Sequence, residues 1–408
     1  MSTQPVRTLE SFEGGVATPR GFRASGQYVG IKAAGRGLDL ALIVSDTPAN
    51  AAAVFTLNKA QAAPVLVSKE HLATSRGIAR AVIANSGCAN ACTGAVGLQD
   101  ARDMASLTAE LVGCPSDQVL VASTGVIGVN LKMDKLRAGL PGAVSALGAD
   151  QGPAAARAIM TTDPFPKEAA ARVSIGGVDV TIGGIAKGSG MIEPNMATML
   201  GFITTDAAVP HALLSKALRE VVDDTFNAIT VDGECSTNDC VMMLANGASG
   251  VTIDESSYDA FADALRAVCL PLAIGIVRGG EGATKLVTVT VTGAASTVEA
   301  RTCAKAIANS PLVKTAIHGG DPNWGRLIAV AGRADVAFDL ARAKVTIGTV
   351  VLFDNGRPYD DAAPEAAEYL KNTELSLAVH LGVGTASSTV WTCDLSADYV
   401  KINAEYRT

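Results

Sequence analysis

Residues 187–200 read Lys-Gly-Ser-Gly-Met-Ile-Glu-Pro-Asn-Met-Ala-Thr-Met-Leu, a run of loop-forming residues that passes into an apolar segment. Its one lysine, Lys187, is followed by Gly188 and Gly190, and Pro194 interrupts the stretch before the apolar residues begin at Met199. Glycine and proline mark loops, whereas the apolar run that follows has the length of a buried strand. The segment is therefore predicted to be a loop that becomes a strand at Ala197-Thr198.

A β-hairpin is predicted directly before this loop. Its strands are residues 172–175 and 178–182, and the turn between them is Gly176-Gly177. A pair of glycines supplies the backbone conformation that a two-residue hairpin turn requires. The loop at residues 187–200 thus connects this hairpin to the next predicted strand.

Thr198 has two interpretations. Threonine is frequent in strands, so an ordinary strand residue is the first. In the second, the Thr198 hydroxyl attacks the carbonyl carbon of Ala197, an ester forms, and water opens the ester. Thr198 would then begin a new chain, and its freed α-amine, with an ordinary pKa of about 7.7–8.0, would serve as the base for its own hydroxyl.

The composition is that of a compact globular protein. The chain has 408 residues, 48% of them apolar and 18% charged, enough for two or three domains or one large layered body. A net charge of −7, without a basic run interleaved with aromatics, argues against a nucleic-acid surface. The apolar run 268–277 contains Pro271 and is too short to span a membrane. Residues 1–13 lack the apolar core of a signal peptide, so we expect a cytoplasmic protein.

Eight cysteines are scattered along the chain without a Cys-x-x-Cys pair. The close pairs Cys88/Cys92 and Cys235/Cys240 have no histidine at ligand spacing. We interpret all eight as reduced thiols that mostly serve in packing, and we expect no metal site.

Periodicity predicts alternating helices and strands. Helices are predicted at 98–112, 153–160, 211–226, 258–268, 298–307 and 363–370. Strands other than the hairpin are predicted at 38–44, 51–56, 64–68, 79–84, 119–122, 199–204, 241–245, 285–292, 327–331, 344–353, 375–381, 389–395 and 399–402. Most strands are hairpin-like, which argues against a doubly wound nucleotide fold. The predicted fold class is α/β, used here for proteins with both helices and strands and including α+β folds. Its mixed sheets are expected to be covered by helices.

The predicted strand 119–122 is followed by Ser123-Thr124-Gly125. One interpretation is a plain turn from strand to loop. The other is an oxyanion hole, because glycine lets a backbone N–H approach a reacting carbonyl and the threonine hydroxyl adds a second donor. One such donor stabilises a transition state by roughly 2.7–4 kcal/mol.

Lys187 and Glu281 are two further candidates with more than one interpretation. Lys187 is either a solvated loop residue or a compact cation for a substrate carboxylate. The glycine-rich run 279–285 lacks the spacing of a phosphate-binding loop, so it is either a bare loop or a place where Glu281 holds an ammonium group. Residues 403–408 read as a fraying tail.

Three other features of the sequence are weaker candidates for a functional role. Thr161 follows a predicted helix and precedes a proline, as a helix end does. His318 stands beside two glycines and is the histidine we suspect, but no Ser-His-Asp triad has sequence support. Gly382-Val383-Gly384 lacks the third glycine of a dinucleotide fingerprint.

Seven short motifs together resemble the ornithine acetyltransferases, or glutamate N-acetyltransferases, of arginine biosynthesis. The likeness also includes the loop at residues 187–200 and covers nearly the whole chain. Each motif alone is weak, but their order and spread make the resemblance specific. The motifs are NSGCAN (85–90), STGVIG (123–128), MTTD (160–163), DGECSTND (232–239), GGEGATK (279–285), GGDPNWGR (319–326) and the C-terminal YRT (406–408).

The resemblance implies a self-cleaving enzyme of the N-terminal-nucleophile type. It implies cleavage between Ala197 and Thr198, giving an α chain of residues 1–197 and a β chain of residues 198–408. Thr198 is the implied nucleophile, with Thr124 and Gly125 at the oxyanion. Thr161 is the implied threonine contact to the substrate, and Thr162 is a close alternative. The other implied substrate contacts are Lys187, Thr198, Glu281, Asn403 and Thr408.

The implied reaction moves an acetyl group from N-acetylornithine to glutamate through an acetyl-Thr198 enzyme. The resemblance implies no metal or organic cofactor, a heterotetramer of two α and two β chains, and no nucleic-acid or membrane partner. Some members of the family also accept acetyl-CoA, and the sequence leaves that choice open. Two alternatives are a self-cleaving aminopeptidase or amidase that passes its acyl group to water, and a non-catalytic amino-acid-binding protein in which Thr198 is structural.

Overall fold

The structure is a computed structural model that describes residues 9–193 and 199–405. Within these ranges the strands are β1 (Leu9–Phe12), β2 (Phe22–Gln27), β3 (Leu40–Phe55), β4 (Ile78–Cys88), β5 (Val119–Val126), β6 (Lys167–Ile175), β7 (Val178–Lys187), β8 (Leu200–Thr205), β9 (Cys240–Ala245), β10 (Leu286–Ala294), β11 (Lys344–Ile347), β12 (Val350–Asp354), β13 (Arg357–Pro358), β14 (Glu374–His380) and β15 (Ala386–Cys393). The helices are α1 (Ala63–Thr74), α2 (Gly94–Val112), α3 (Met133–Ser145), α4 (Gly152–Ala158), α5 (His211–Asp224), α6 (Tyr258–Arg278), α7 (Thr297–Ala308), α8 (Pro311–Gly319), α9 (Trp324–Gly332), α10 (Ala363–Tyr369) and α11 (Ala397–Glu405).

The larger sheet has the order β1-β6-β7-β8-β9-β3-β4-β5, with β2 paired to β3. The predicted hairpin is confirmed as β6 and β7, and its turn residues Gly176 and Gly177 both have positive φ, 61° and 82°. The two strands predicted at 38–44 and 51–56 are one long strand, β3, whose register with β4 shifts between Val44 and Ala49. The sheet is mixed, because β8 pairs with β9, and β4 with β5, in parallel.

Both faces of the larger sheet are buried. In β9, the side chains of Cys240, Met242 and Leu244 belong to one hydrophobic core, which also contains α4. The alternate residues of β9 belong to a second core, which contains α5 and α6. Helices α1, α2 and α3 supply a third core, against β4 and β5. This two-sided burial explains why these strands are apolar at consecutive positions.

The smaller sheet has the order β13-β12-β11-β14-β10-β15. Strands β10 and β14 pair in parallel, whereas β15 pairs with β10 in an antiparallel sense. A separate hydrophobic core formed with α7, α8, α9 and α10 includes Val287, Val289 and Val291 of β10. Two mixed sheets covered by helices confirm the predicted α/β fold class.

Three predicted strands are helices, and these predictions were wrong. Residues 64–68 lie in α1, where Pro64 occupies the first turn. The N–H groups of a first turn have no partner within the helix, so the N–H that proline lacks is not needed there. Residues 327–331 lie in α9, and residues 399–402 lie in α11. In α9 the buried residues Leu327, Val330 and Ala331 share one helical face, which a five-residue apolar run does not distinguish from a strand. The structure also contains elements that were not predicted from the sequence, namely α3, α8, β1 and β2.

Helix α6 is longer than predicted. The prediction ended it at residue 268, but the helix continues through Pro271 to Arg278. By length and composition it is long and apolar enough to cross a membrane, the one such helix in the described ranges, and 61% of its most apolar window is buried inside the protein. Its buried face, including Phe261, Leu265 and Leu272, packs in the core beside β6 and β7.

Candidate active site

A cleft is lined by residues near the ends of β5 and β7 and by the segment that precedes β9. The space within it, open solvent included, is about 740 Å³. The predicted site residues that the structure describes all line it, namely Thr124, Gly125, Thr161, Lys187, Glu281 and Asn403. Thr162, the alternative to Thr161, lines it as well. Ala197, Thr198 and Thr408 lie outside the described residues.

Gly125 stands where two parallel strands come unusually close. Its φ is +126°, and a Cβ atom at this position would lie 2.5 Å from the carbonyl carbon of Gly87 in β4. An L side chain would therefore meet both backbone strain and a backbone clash. Strand β5 does not end at residue 122, as predicted, but continues through Thr124 and Gly125 beside β4. The sheet itself therefore fixes both residues.

The side chains of Lys187 and Thr124 are hydrogen-bonded to each other. The buried ammonium group of Lys187, at the end of β7, lies 3.3 Å from the Thr124 hydroxyl oxygen. An ammonium group has only donors, so the hydroxyl oxygen must accept. The hydroxyl proton of Thr124 is therefore left to be donated to another acceptor at the cleft.

The carboxylate of Asp163 binds Thr161, Gly188 and Lys167, which lie in three different parts of the site. Its carboxylate accepts hydrogen bonds from the backbone N–H groups of Thr161 at 3.0 Å and Gly188 at 2.8 Å. It also forms a buried ion pair with Lys167 at 2.6 Å. Burial alone would raise the pKa of Asp163, but the ammonium groups of Lys187 and Lys167 outweigh it and hold this pKa at about 2. Asp163 is therefore ionised and fixes the positions of residues 161 and 188.

A further lysine extends this charge network. The ammonium group of Lys32 donates to the backbone oxygens of Leu38 and Met160, each at 2.7 Å. Burial lowers the pKa of Lys32 to about 8, although the carboxylate of Asp39 opposes the shift. The oxygen of residue 160 directly precedes Thr161, so Lys32 holds the start of this loop in place.

Glu281 occupies the other side of the cleft and is buried. Its carboxylate accepts a hydrogen bond from the side-chain amide of Asn403 at 2.8 Å. A Cβ atom on Gly190 would lie 2.3 Å from the same carboxylate, so only a glycine leaves room for it there. The backbone N–H of Glu281 also donates to the Ser189 carbonyl oxygen at 2.9 Å. The loop that begins at residue 188 is thereby packed directly against Glu281.

Asp232 holds the next part of this loop. Its two carboxylate oxygens accept from the backbone N–H groups of Met191 and Ile192, each at 2.7 Å. The Tyr399 hydroxyl also donates to Asp232, at 3.1 Å. Burial, together with the Asp232 carboxylate, raises the pKa of Tyr399, which stays a neutral donor. These bonds support the conformation of Met191, whose φ is +57°.

The chain is anchored on both sides of residues 194–198. On one side, the Glu193 carboxylate accepts from the Asn309 amide at 3.0 Å and pairs with Lys305 at 3.4 Å. On the other side, the carbonyl oxygen of Met199 accepts from the Cys240 N–H at 3.1 Å, where β8 joins the sheet. The partners on both sides, Asn309, Lys305 and Cys240, all belong to residues 198–408, so the second half of the sequence holds the predicted loop-to-strand transition.

The charges in the cleft are separated. Lys187 provides a buried cation beside the Thr124 hydroxyl, whereas three carboxylates, those of Asp232, Glu234 and Glu281, line the remainder. An α-amino acid carries groups of both signs and can be oriented between such walls. Charge separation of this kind suits a small zwitterionic ligand.

Sequence reasoning missed several residues that line the cleft, namely Ala89, Ile127, Gly190, Met191, Asp232, Glu234, Ser236, Asn238 and Tyr399. The sequence did contain a sign of a functional site for four of these residues, those between 232 and 239, because this polar run directly precedes a buried strand. Tyr399 was missed because its segment was predicted as a strand. In α11, residues 399 and 403 are four apart and share one helical face toward the cleft.

The other candidates raised by the sequence have structural explanations. His318 lies 2.7 Å from the carboxylate of Asp394, which also accepts from both the backbone and the hydroxyl of Thr284, outside the cleft. This cluster fixes the end of the 279–285 loop at β15. All eight cysteines are free thiols, and the described ranges contain no group of three or more metal-ligating side chains.

The chain matches known proteins over almost its full length. A model of the ArgJ family matches residues 23–408. The arginine biosynthesis bifunctional protein ArgJ of Symbiobacterium thermophilum is 51% identical over 406 residues, covering 98% of this chain and 100% of that protein. The protein of the same name from a Synechococcus species is 50% identical over 411 residues, covering 98% and 99%.

A solved structure is also similar in sequence. The ornithine acetyltransferase of Mycobacterium tuberculosis, complexed with ornithine, is 43% identical and covers 46% of this chain and 99% of its own, with a TM-score of 0.43. Family membership follows from the sequence matches, which extend through every motif at the cleft. With a family model matching residues 23–408 and relatives about half identical along nearly its whole length, the chain belongs to the ArgJ family.

Proposed function

We propose that this protein is a glutamate N-acetyltransferase of arginine biosynthesis that takes the acetyl group from N-acetylornithine. Full-length similarity to arginine biosynthesis bifunctional proteins supports this function over that of an aminopeptidase or amidase. The observation that carries the proposal is the shared cleft. Thr124 and Lys187 from one half of the sequence meet Glu281 and Asn403 from the other, beside the chain that leads to Thr198.

The active protein consists of two chains, residues 1–197 and 198–408. The Thr198 hydroxyl oxygen attacks the carbonyl carbon of Ala197, the amide C–N bond breaks, and an ester links the two residues. Water then hydrolyses the ester, which leaves a carboxylate on Ala197 and an α-amine and a free hydroxyl on Thr198. Hydrogen bonds between the two halves, such as those from the Met191 N–H to Asp232 at 2.7 Å and from the Asn238 amide to the Ala89 carbonyl oxygen at 2.6 Å, keep the cut chains together.

Acetyl transfer uses the same hydroxyl. The α-amine of Thr198 takes the hydroxyl proton as the oxygen attacks the acetyl carbon of N-acetylornithine. The Thr124 hydroxyl and the Gly125 N–H donate to the oxyanion that forms. The amide C–N bond then breaks, the amine of ornithine leaves with the proton, and an acetyl ester remains on Thr198. The amine of glutamate attacks this ester in the second half-reaction and releases the hydroxyl.

The remaining side chains orient the two amino acids. Lys187 binds an α-carboxylate, which both substrates carry, and Thr161 or Thr162 contacts the substrate beside it. Glu281 binds an ammonium group of ornithine, and Asn403 holds the Glu281 carboxylate in place. Thr408 completes the site as a substrate contact.

The proposal also covers cofactors, assembly, location and a second acetyl donor. The mechanism requires no metal or organic cofactor. We further propose a heterotetramer of two α and two β chains in the cytoplasm, with acetyl-CoA as a second donor to be tested.

A mixture assay tests the function. Purified protein with N-acetylornithine should release ornithine, and release should depend on added glutamate and be matched by N-acetylglutamate. An amidase would instead release ornithine and acetate without glutamate, and a binding protein would release neither. Parallel reactions with acetyl-CoA in place of N-acetylornithine decide whether it is a donor.

A further inference from the structure

The side chain of Asn238 bridges two backbone carbonyl groups beside the cleft. Asn238 is 5% exposed and lies two residues before β9. Its Nδ2 atom donates to the carbonyl oxygen of Ala89 at 2.6 Å and to that of Ser123 at 2.9 Å. Its Oδ1 atom accepts from the Thr237 hydroxyl at 2.6 Å. Because backbone carbonyl oxygens only accept, the amide nitrogen must be the atom that faces both of them.

Both donor positions of this amide are occupied, although Asn238 lines the cleft. An amide nitrogen carries two N–H bonds, and the two carbonyl groups take one each. The side chain therefore keeps no N–H for a substrate. Removing it would leave two carbonyl oxygens without this partner in an interior where polar atoms are nearly always paired. This geometry suits a residue that holds the backbone in place, not one that binds a ligand.

The two bridged residues hold the chain on either side of the proposed oxyanion donors. Ser123 directly precedes Thr124 in β5, so its carbonyl oxygen belongs to the same planar peptide unit as the Thr124 N–H. The carbonyl oxygen of Val126, directly after Gly125, accepts from the N–H of Ala89 at 3.0 Å. The amide bridge and this bond therefore fix the chain immediately before and immediately after the pair Thr124-Gly125.

Asn238 reaches β5 from a distant part of the chain. Strand β5 stands at the end of the larger sheet with β4 as its paired strand, and the register of this pair shifts between Gly87 and Cys88, close to the bridge. Asn238 and Thr124 stand on opposite sides of the proposed cut, in the second and the first chain respectively. One chain would therefore hold the oxyanion donor of the other.

We propose that Asn238 is a positioning residue for the oxyanion site, which it holds through the Ser123 carbonyl group so that the Thr124 hydroxyl is aligned with the developing charge. This inference rests on the proposed acetyl transfer. A donor aligned in advance needs no reorganisation during the reaction, so a displaced donor loses much of its effect. Binding of the substrate before the reaction does not use this alignment. Loss of the amide should therefore lower kcat and kcat/KM by the same factor.

The experiment measures glutamate-dependent ornithine release, per mole of cut protein, by the parent, Asn238→Ala and the control Asn50→Ala. Asn50 also donates from its amide to a carbonyl oxygen of the other half, that of Val209 at 2.8 Å, but it pairs with Ala245 at the opposite end of β9. Asn238→Ala should lower kcat and kcat/KM equally, by at least about tenfold, which is part of the roughly 10²–10³-fold lost when an oxyanion donor is removed. Asn50→Ala should match the parent.

A second measurement separates positioning from a general structural effect. If Asn238 acts through Thr124, the effects of substituting the two residues should not be additive. In a Thr124→Val background, Asn238→Ala should lower kcat by no more than about threefold, because the donor that it positions is absent. Thr237→Val keeps the shape of threonine but removes the hydroxyl that orients the amide, and should lower kcat by at least about threefold. It replaces Asn238→Ala if that variant does not fold or is not cut.

The outcomes separate this inference from the proposed function. A parent that releases no ornithine in the presence of glutamate overturns the proposed function. An active parent, with Asn238→Ala or Thr237→Val at the same kcat, overturns the role of Asn238 alone. That role is also overturned if Asn238→Ala raises KM with kcat unchanged, or if its loss multiplies in full with that of Thr124→Val.

Discussion

The ammonium group of Lys187 lies 3.3 Å from the hydroxyl oxygen of Thr124, although the two residues are 63 positions apart. Lys187 is the last residue of β7 and Thr124 lies near the end of β5, two strands that are not neighbours in the sheet, so this contact joins distant parts of the sheet at the cleft. Because the ammonium group can only donate, this contact directs the Thr124 hydroxyl proton elsewhere. That orientation is what an oxyanion donor needs.

Thr124→Val should lower kcat by about 10²–10³-fold, because valine keeps the shape of threonine but has no donor for the oxyanion. Thr124→Ser keeps a hydroxyl and should retain most of the activity. Steady-state rates of glutamate-dependent ornithine release measure both variants. If the valine variant turned over like the parent, Thr124 would have no part in stabilising the oxyanion.

Glu281→Gln should lower kcat/KM for N-acetylornithine by about 10–100-fold, the loss expected when a hydrogen bond to a charged group is removed. Self-cleavage involves no ornithine and should proceed normally, as gel analysis of the purified variant would show. The control is Glu374→Gln, which changes an exposed carboxylate paired with Arg278 on the smaller sheet. A variant that cleaves poorly but, once cleaved, handles the donor like the parent would make Glu281 a structural residue.

Asp163 should make the stability of the protein depend on acid pH. Its pKa is about 2 in the folded protein and 3.8 ordinarily, so its ionised form favours folding above pH 4. This contribution, on the order of 2 kcal/mol, is lost as the pH falls from about 4 to about 2. Urea unfolding at pH 7 and pH 3 should show a smaller decline for Asp163→Asn than for the parent.

The same variant should also be less stable at pH 7, by about 3–5 kcal/mol, because Lys167 loses its buried partner. Asp46→Asn, which breaks an exposed pair with Arg23, is the control and should change stability by no more than about 1 kcal/mol. Equal effects of the two variants would show that the buried pair is no stronger than a surface pair.

The two half-reactions share one acetyl-enzyme, so initial-rate plots for N-acetylornithine and glutamate should give parallel lines. Glutamate should enter only after ornithine has left. Converging lines, together with no acetyl-enzyme mass when the donor is supplied alone, would show direct transfer between two bound substrates instead.

Local sequence signals predicted the parts of the fold that depend on neighbouring residues. The Gly176-Gly177 turn and the end of the predicted helix 98–112, directly before Gly113, follow from backbone preferences of glycine, and both are confirmed. The segment at residues 399–402 was predicted wrongly because tyrosine, valine and isoleucine favour strands locally. The helix α11 that forms there is held by contacts with distant parts of the chain, because the Tyr399 hydroxyl donates a hydrogen bond to Asp232.

The candidate site was predictable through resemblance, but its supporting residues were not. Asp163 and Asp232 act by accepting backbone N–H groups 25 and 41 positions away, and no local pattern reports such bonds.

Thr198 carries the central claim, because both the cut and the acetyl transfer use its hydroxyl. Thr198→Ala should fold, remain one chain and lack transferase activity, whereas Thr198→Ser should retain some of both reactions. Ornithine release and chain length, measured on the same preparations, test the assignment. Substantial turnover by the alanine variant would mean that another group is the nucleophile.

The most direct single test is intact-protein mass spectrometry of the purified, active parent under denaturing conditions. Two masses are expected, for residues 1–197 and 198–408, and addition of N-acetylornithine alone should add one acetyl group to the second. A single full-length mass in a fully active preparation would contradict it.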